Sequence, residues 1–297
     1  MYKRQGDHVV TSPYEHPAVY GALRQVGAIV SMCEVSRDGS LSVQEVLGKL
    51  RPDTKLVVVM FAQNEVGNLL PVQELVQAVA PIPVFVDAVQ AFGKVPLDLK
   101  LLGIAGASLS GHKIGGLSGC GALWHDPNLV LRSRTPGGAQ ESGMRGGTEN
   151  LIGAMTMGHA ASQLETRLDA CDRLRRYQRH LEHALLSVGT VEILGDSCSR
   201  LPNTTLFRAE GVPGDLIVQW MDMDGFSLST GSACSSGSIE PSSTMLAMGF
   251  SEVEAREAVR ISTGPETSME DVELLAESLV NRLNEFIRRQ RLSLIHI

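Results

Sequence analysis

The 297-residue chain is 43% hydrophobic and 20% charged, enough to bury one large core and a smaller second one, and its composition excludes disorder. Its formal charge of -7 supplies no basic stripe to neutralise phosphates, which excludes non-specific nucleic-acid binding. No apolar run reaches the roughly 18 to 20 residues of a membrane span, and the start has no signal-peptide layout.

In chain order, MYKRQ is set aside as foreign to the fold, and HVV at 8–10 is the first strand; it begins abruptly, as if cut inside a larger domain. From there to about residue 125, short apolar runs alternate with amphipathic stretches: AIVSMCEV, LSVQEVLGKL, LVVVMF, PVQELVQAVA and VFVDAV. That rhythm predicts βαβ units. Near-continuous apolar strands imply a mostly parallel sheet with helices on both faces, with binding groups at the carboxyl ends of its strands. The Gly-rich stretch TPGGAQESGMRGGTEN is followed by helix over about 151–188. The basic run RLRRYQRH within it reads as a solvated helix face, opposite Leu174, Tyr177 and Leu181. After it come short strands at VEILG, NTTLFR and FSLST and a terminal helix, DVELLAESLVNRLNEFIRR; the closing LSLIHI is set aside like the start. The expected division is a large α/β domain over 6–160 and a smaller α+β domain over 161–291.

Five scattered cysteines without a CxxC pair point to a reducing cytoplasm rather than a disulfide framework, and offer no metal site. Lys113, in SGHKIGG after an apolar strand, sits where glycines let the backbone approach a ligand, and a desolvated lysine can form a Schiff base with an aldehyde. Asp87 ends a strand expected to be buried, so its carboxylate needs a cation such as a protonated ring nitrogen. Gln90, three residues on, can donate to a phenolic oxygen, and His16 can stack on a ring or act as acid or base, with helix-start duty as its ordinary reading. Cys234, among the small polar residues of TGSACSSGSIEPS, is an accessible candidate nucleophile or an incidental loop cysteine. Arg260, at the end of a predicted strand, offers a fork for a carboxylate or a structural ion pair.

Taken together and in order, EHPAV, NEVGNLLPV, DAVQAFGKVPLD, SGHKIGG, GGAQESGMRGGTEN, SACSSGSIEPS and RISTG resemble the motifs of cysteine desulfurases, in the class V aminotransferase group of fold type I pyridoxal-phosphate enzymes. The resemblance implies that Lys113 carries the cofactor, Asp87 and Gln90 tune its ring and His16 stacks on it. It further implies that Ser110 and His112 hold the cofactor phosphate, joined by Thr148 from a second subunit of a homodimer. Asn64 and Arg260 would orient the carboxylate of L-cysteine, and Cys234 would take the sulfur as a persulfide for a sulfur-acceptor or iron-sulfur scaffold protein. The family's N-terminal Gly-Ala-Thr loop has no counterpart before His8, and Pro265 stands where relatives often carry arginine. A selenocysteine lyase and a catalytically inactive binding protein on the same fold are the alternative readings.

Overall fold

The computed structural model describes residues 6–231 and 241–295 and divides into two compact units. Unit 1 comprises the chain through Glu34, Leu41–Ala62 and Leu70–Leu168; unit 2 comprises Val35–Ser40, Gln63–Leu69 and the chain from Asp169. The division drawn from sequence, 6–160 and 161–291, misses the two short segments that unit 2 takes from the first half of the chain. A local hydrophobic pattern registers neighbours in sequence only, and those segments are held by residues far along the chain: Leu69 N–H donates to the Ser199 carbonyl at 2.8 Å, and Arg37 pairs with Glu254 at 3.0 Å.

In unit 1 the elements run β1 (His8–Thr11), α1 (Pro17–Gln25), β2 (Ile29–Met32), α2 (Val43–Lys49), β3 (Thr54–Met60), α3 (Val72–Val79), β4 (Val84–Asp87), β5 (Gly106–Ser110), β6 (Gly121–His125) and α4 (Leu151–Ser162). They are followed by α5 (Leu164–Leu186), which begins in unit 1 and continues into unit 2. The six strands form one sheet in the order β2-β1-β3-β4-β5-β6, parallel through β5, with β6 antiparallel at the edge. The central strand shows why the apolar runs are continuous: on one face Val58 and Leu56 pack with Val9 and Leu23, while Val57 and Val59 on the other face are equally buried. At roughly 1.5–3 kcal/mol per fully buried aliphatic side chain, both faces contribute to the sheet's stability.

Unit 2 contains β7 (Val191–Leu194), β8 (Thr204–Ala209), α6 (Gly214–Met223), β9 (Ser229–Thr230), α7 (Ser243–Ala247), α8 (Glu252–Arg256), β10 (Ala258–Ser262) and α9 (Met269–Ile295). Its sheet, β7-β8-β10-β9, is antiparallel, and Phe207, Val259 and Ile261 pack with Leu181 and Leu185 of α5 and Leu279 and Leu283 of α9. Three sequence expectations are corrected here. FSLST contributes only the two residues of β9, Arg260 lies in the middle of β10 rather than at its end, and α9 runs on through part of the LSLIHI tail that was set aside. Leucine and isoleucine following a long amphipathic helix simply continue it. Among the described residues no helix is long and apolar enough to cross a membrane.

Candidate active site

Three expected site residues stand at the carboxyl edge of the parallel sheet in unit 1. The first is His16, five residues beyond β1. Its Nδ1 accepts the Ala18 N–H at 3.2 Å, capping α1, whose first residue is Pro17. Accepting at Nδ1 puts the ring hydrogen on Nε2 and fixes the imidazole at the helix entrance. Asp87, the last residue of β4, is half-buried, and its Oδ1 accepts the Val89 N–H at 3.0 Å. Desolvation pushes its carboxyl above the ordinary aspartate range; hydrogen bonds from Val89 and Ser108 and the nearby His16 pull the other way. A carboxylate so placed is completed by a cation.

Lys113 follows β5 on a single 3₁₀ turn, Gly111–Ile114. The buried Ile114 anchors that turn, and Gly115 closes it at φ 93°, a conformation that a side chain at this position would strain. A Cβ at Gly115 would also stand 2.6 Å from Arg167 Nη2, so the guanidinium packs directly over the loop. Lys113 itself is exposed. Ser110 Oγ and His112 Nδ1 lie 2.8 Å apart on either side of Gly111. Gln90 Oε1 accepts from Lys94 Nζ at 2.7 Å, which leaves its amide N–H groups as the donors.

Thr148 is exposed, its carbonyl accepting from Arg145 Nη1 at 2.9 Å, and no described contact joins it to Ser110 or His112. Asn64 belongs to unit 2, where its carbonyl accepts from Arg260 Nη1 at 3.0 Å. Arg260 Nε is buried and has no hydrogen-bond partner among the described residues, so one edge of the guanidinium suits a carboxylate. Cys234 lies outside the described residues. Among the described residues no cluster of three His, Cys, Asp or Glu side chains forms a metal site.

Sequence reasoning passed over Glu15. Its carboxyl is buried behind His16, where Oε1 accepts from Ser12 Oγ at 2.6 Å and from the Met60 N–H at 2.8 Å; Oε2 has no hydrogen-bond partner among the described residues. Burial, aided by the neighbouring Asp87 charge, pushes its pKa up to about 8. The available signal was a glutamate placed between a strand end and a helix cap, a position that local pattern assigns to solvent.

The aminotransferase class-V family model matches residues 2–275. The chain belongs to this family. It is 36% identical over 289 residues to a cysteine desulfurase of Nostoc sp., covering 93% of this chain and 72% of that protein. Among solved structures, a NifS-like protein superposes with a TM-score of 0.85 at 28% identity, covering 94% of this chain and 75% of the other. A protein described as SspA in complex with cysteine superposes with a TM-score of 0.74 at 28% identity, covering 89% and 76%. The cofactor of this enzyme family is pyridoxal phosphate, and the unit 1 residues fit it. Asp87 is a desolvated acid suited to a pyridinium, Ser110 and His112 offer a hydroxyl and a ring nitrogen to a phosphate, and Lys113 projects from a glycine-flanked turn.

Proposed function

We propose that this protein is a cysteine desulfurase that removes sulfur from L-cysteine and leaves L-alanine. The observation that carries the reading is the half-buried Asp87 beside His16 on one parallel sheet with the Lys113 turn, in a chain of the class-V family. Bound pyridoxal phosphate supplies an electron sink for bonds at the substrate α-carbon. Lys113 holds the cofactor, Asp87 keeps its ring nitrogen protonated, Gln90 donates to its phenolic oxygen, and His16 stacks on the ring and moves a proton at its Nε2. Asn64 and the open edge of Arg260 orient the substrate carboxylate. Cys234 Sγ, as thiolate, attacks the substrate sulfur: the S–S bond forms, the C–S bond breaks, and its electron pair passes to carbon, which takes a proton to give alanine. The persulfide on Cys234 then serves a sulfur-acceptor or scaffold protein of iron-sulfur assembly. The four described cysteines are free thiols, which supports a reducing, cytoplasmic setting.

With cysteine and a reductant, the loaded enzyme should release alanine and sulfide in equal amounts. Cys234→Ala should lower both by at least ~10²-fold while leaving cofactor absorbance intact. Full sulfide release by that variant would sink the mechanism.

The same reading includes a homodimer in which Thr148 joins the partner's phosphate site. Its support is α4, which carries no aspartate, glutamate, lysine or arginine and leaves Leu151, Ile152 and Met155 each about two-thirds exposed. Light scattering should give twice the 31.9 kDa chain mass for the native protein and a monomer for the Ile152→Glu/Met155→Glu variant.

A further inference from the structure

β1 ends at Thr11, paired with Val58, while β3 runs on to Met60. Along β3 the N–H groups of Val57 and Phe61 bond the Pro83 and Asp87 carbonyls on the β4 side, so the alternate N–H of Met60 points to the opposite side, where β1 has already ended. The Glu15 carboxyl takes the vacated place: its Oε1 accepts the Met60 N–H at 2.8 Å and the Ser12 Oγ at 2.6 Å. Ser12, the first residue past β1, is held twice more, its Oγ accepting the Tyr14 N–H at 3.2 Å and its carbonyl the Tyr20 hydroxyl at 2.9 Å. His16 follows Glu15 directly and caps α1, and Asp87 is the register partner of Met60 on β4. One buried carboxyl therefore ties the turn that carries His16 to the strand end beside Asp87. A side chain with no acceptor would leave the Met60 N–H and the Ser12 hydroxyl buried without this partner, the costly state for a polar group. Burial keeps the acid protonated at neutral pH, so the tie adds no second negative charge beside the Asp87 carboxylate.

We propose that Glu15 is a positioning residue of the cofactor site, replacing β1 at the end of β3 and thereby holding His16 in place against Asp87. The inference deepens the desulfurase reading and rests on His16 being the group stacked on the cofactor ring. It predicts that loss of the tie disturbs the surroundings of the ring and the chemical step more than it weakens capture of cysteine.

The test compares Glu15→Ala, Glu15→Gln and Ser12→Ala with the native full chain. Loaded with pyridoxal phosphate, Glu15→Ala should lose on the order of 10²-fold in kcat for alanine release and about half of the visible circular dichroism of the bound cofactor, with KM for cysteine within about threefold of native. Ser12→Ala, which removes one donor and keeps the Met60 bond, should lose about tenfold in kcat. Glu15→Gln, whose side-chain oxygen can accept from both donors, should bring kcat and dichroism back to within about threefold of native. A Glu15→Ala protein that loses stability alone, with kcat and dichroism within about twofold of native, would overturn the proposal, as would a Glu15→Gln protein as impaired as Glu15→Ala. If Glu15→Ala fails to fold, Ser12→Ala is held to the same limits. A native chain that takes up no pyridoxal phosphate or releases no alanine would instead refute the desulfurase reading. Nuclear magnetic resonance of the His16 ring nitrogens in the chain carrying isotope-labelled histidine, which needs no cofactor, then judges the tie. Signals of a single Nε2–H tautomer in native and Glu15→Gln protein, against averaged signals in Glu15→Ala or, should that not fold, Ser12→Ala, support it; identical signals in all of them overturn it.

Discussion

Replacing Lys113 with alanine is expected to lower alanine release from cysteine by at least ~10³-fold without unfolding the protein. The side chain is exposed, and the turn that carries it is held by backbone: the Gly115 and Gly116 N–H groups both bond the Gly111 carbonyl, and Ile114 is 1% exposed. Borohydride treatment of the native protein with pyridoxal phosphate should trap one adduct, mapped to Lys113, while Lys113→Ala yields none there. The variant should still bind the cofactor non-covalently, since Asp87, Ser110 and His112 are untouched. A Lys113→Ala protein that turns over at native rate, or an adduct mapped to another lysine of the native protein, would refute the assignment.

Replacing Glu15 with glutamine should make stability less dependent on pH. The Glu15 carboxyl titrates near 8 in the folded protein against an ordinary value of 4.5, so the folded state keeps a proton that the unfolded chain has lost. Stability therefore falls as pH rises from about 4.5 to about 8 and is flat above that range, a cost on the order of 3–5 kcal/mol when fully developed. The groups facing Glu15 are the Asp87 carboxyl, which adds to the shift, the Ser12 hydroxyl and Met60 N–H, which oppose it, and the Tyr20 phenol, itself held up by burial. Glutamine mimics the protonated acid: its oxygen can accept from both Ser12 and Met60, and its amide takes the place of an Oε2 that has no partner among the described residues. Thermal melts should show little difference between Glu15→Gln and native protein at pH 5 and a gain of at least ~5 °C for the variant at pH 8.5. Equal gains at both pH values, or none, would show that Glu15 is ionised in the folded state at neutral pH.

Much of this protein was legible before any coordinates. The strands of the parallel sheet were plain because β3 and its neighbours are buried on both faces, so their composition is apolar without interruption. Residues expected at the carboxyl edge, His16, Asp87 and Lys113, stand there because strand direction in a βαβ chain dictates it. Even the helix-start reading of His16 and its placement beside Asp87 hold together, since the same imidazole caps α1 and faces the acid.

What sequence by itself determined was the order of strands and helices along the chain and the polarity of the sheet edge at which His16, Asp87 and Lys113 stand. These follow from periodicity and composition, which are properties of neighbours along the chain. Tertiary structure alone decided which distant segments share a unit. It decided that Val35–Ser40 and Gln63–Leu69 belong with the C-terminal half, that the weakly patterned β6 closes the sheet antiparallel, and that Glu15 and Glu65 are buried. A glutamate looks solvent-bound in any local window. Only the partners that close around it, Ser12 and Met60 for Glu15 and Ser242 and Thr244 for Glu65, turn it into a buried acid.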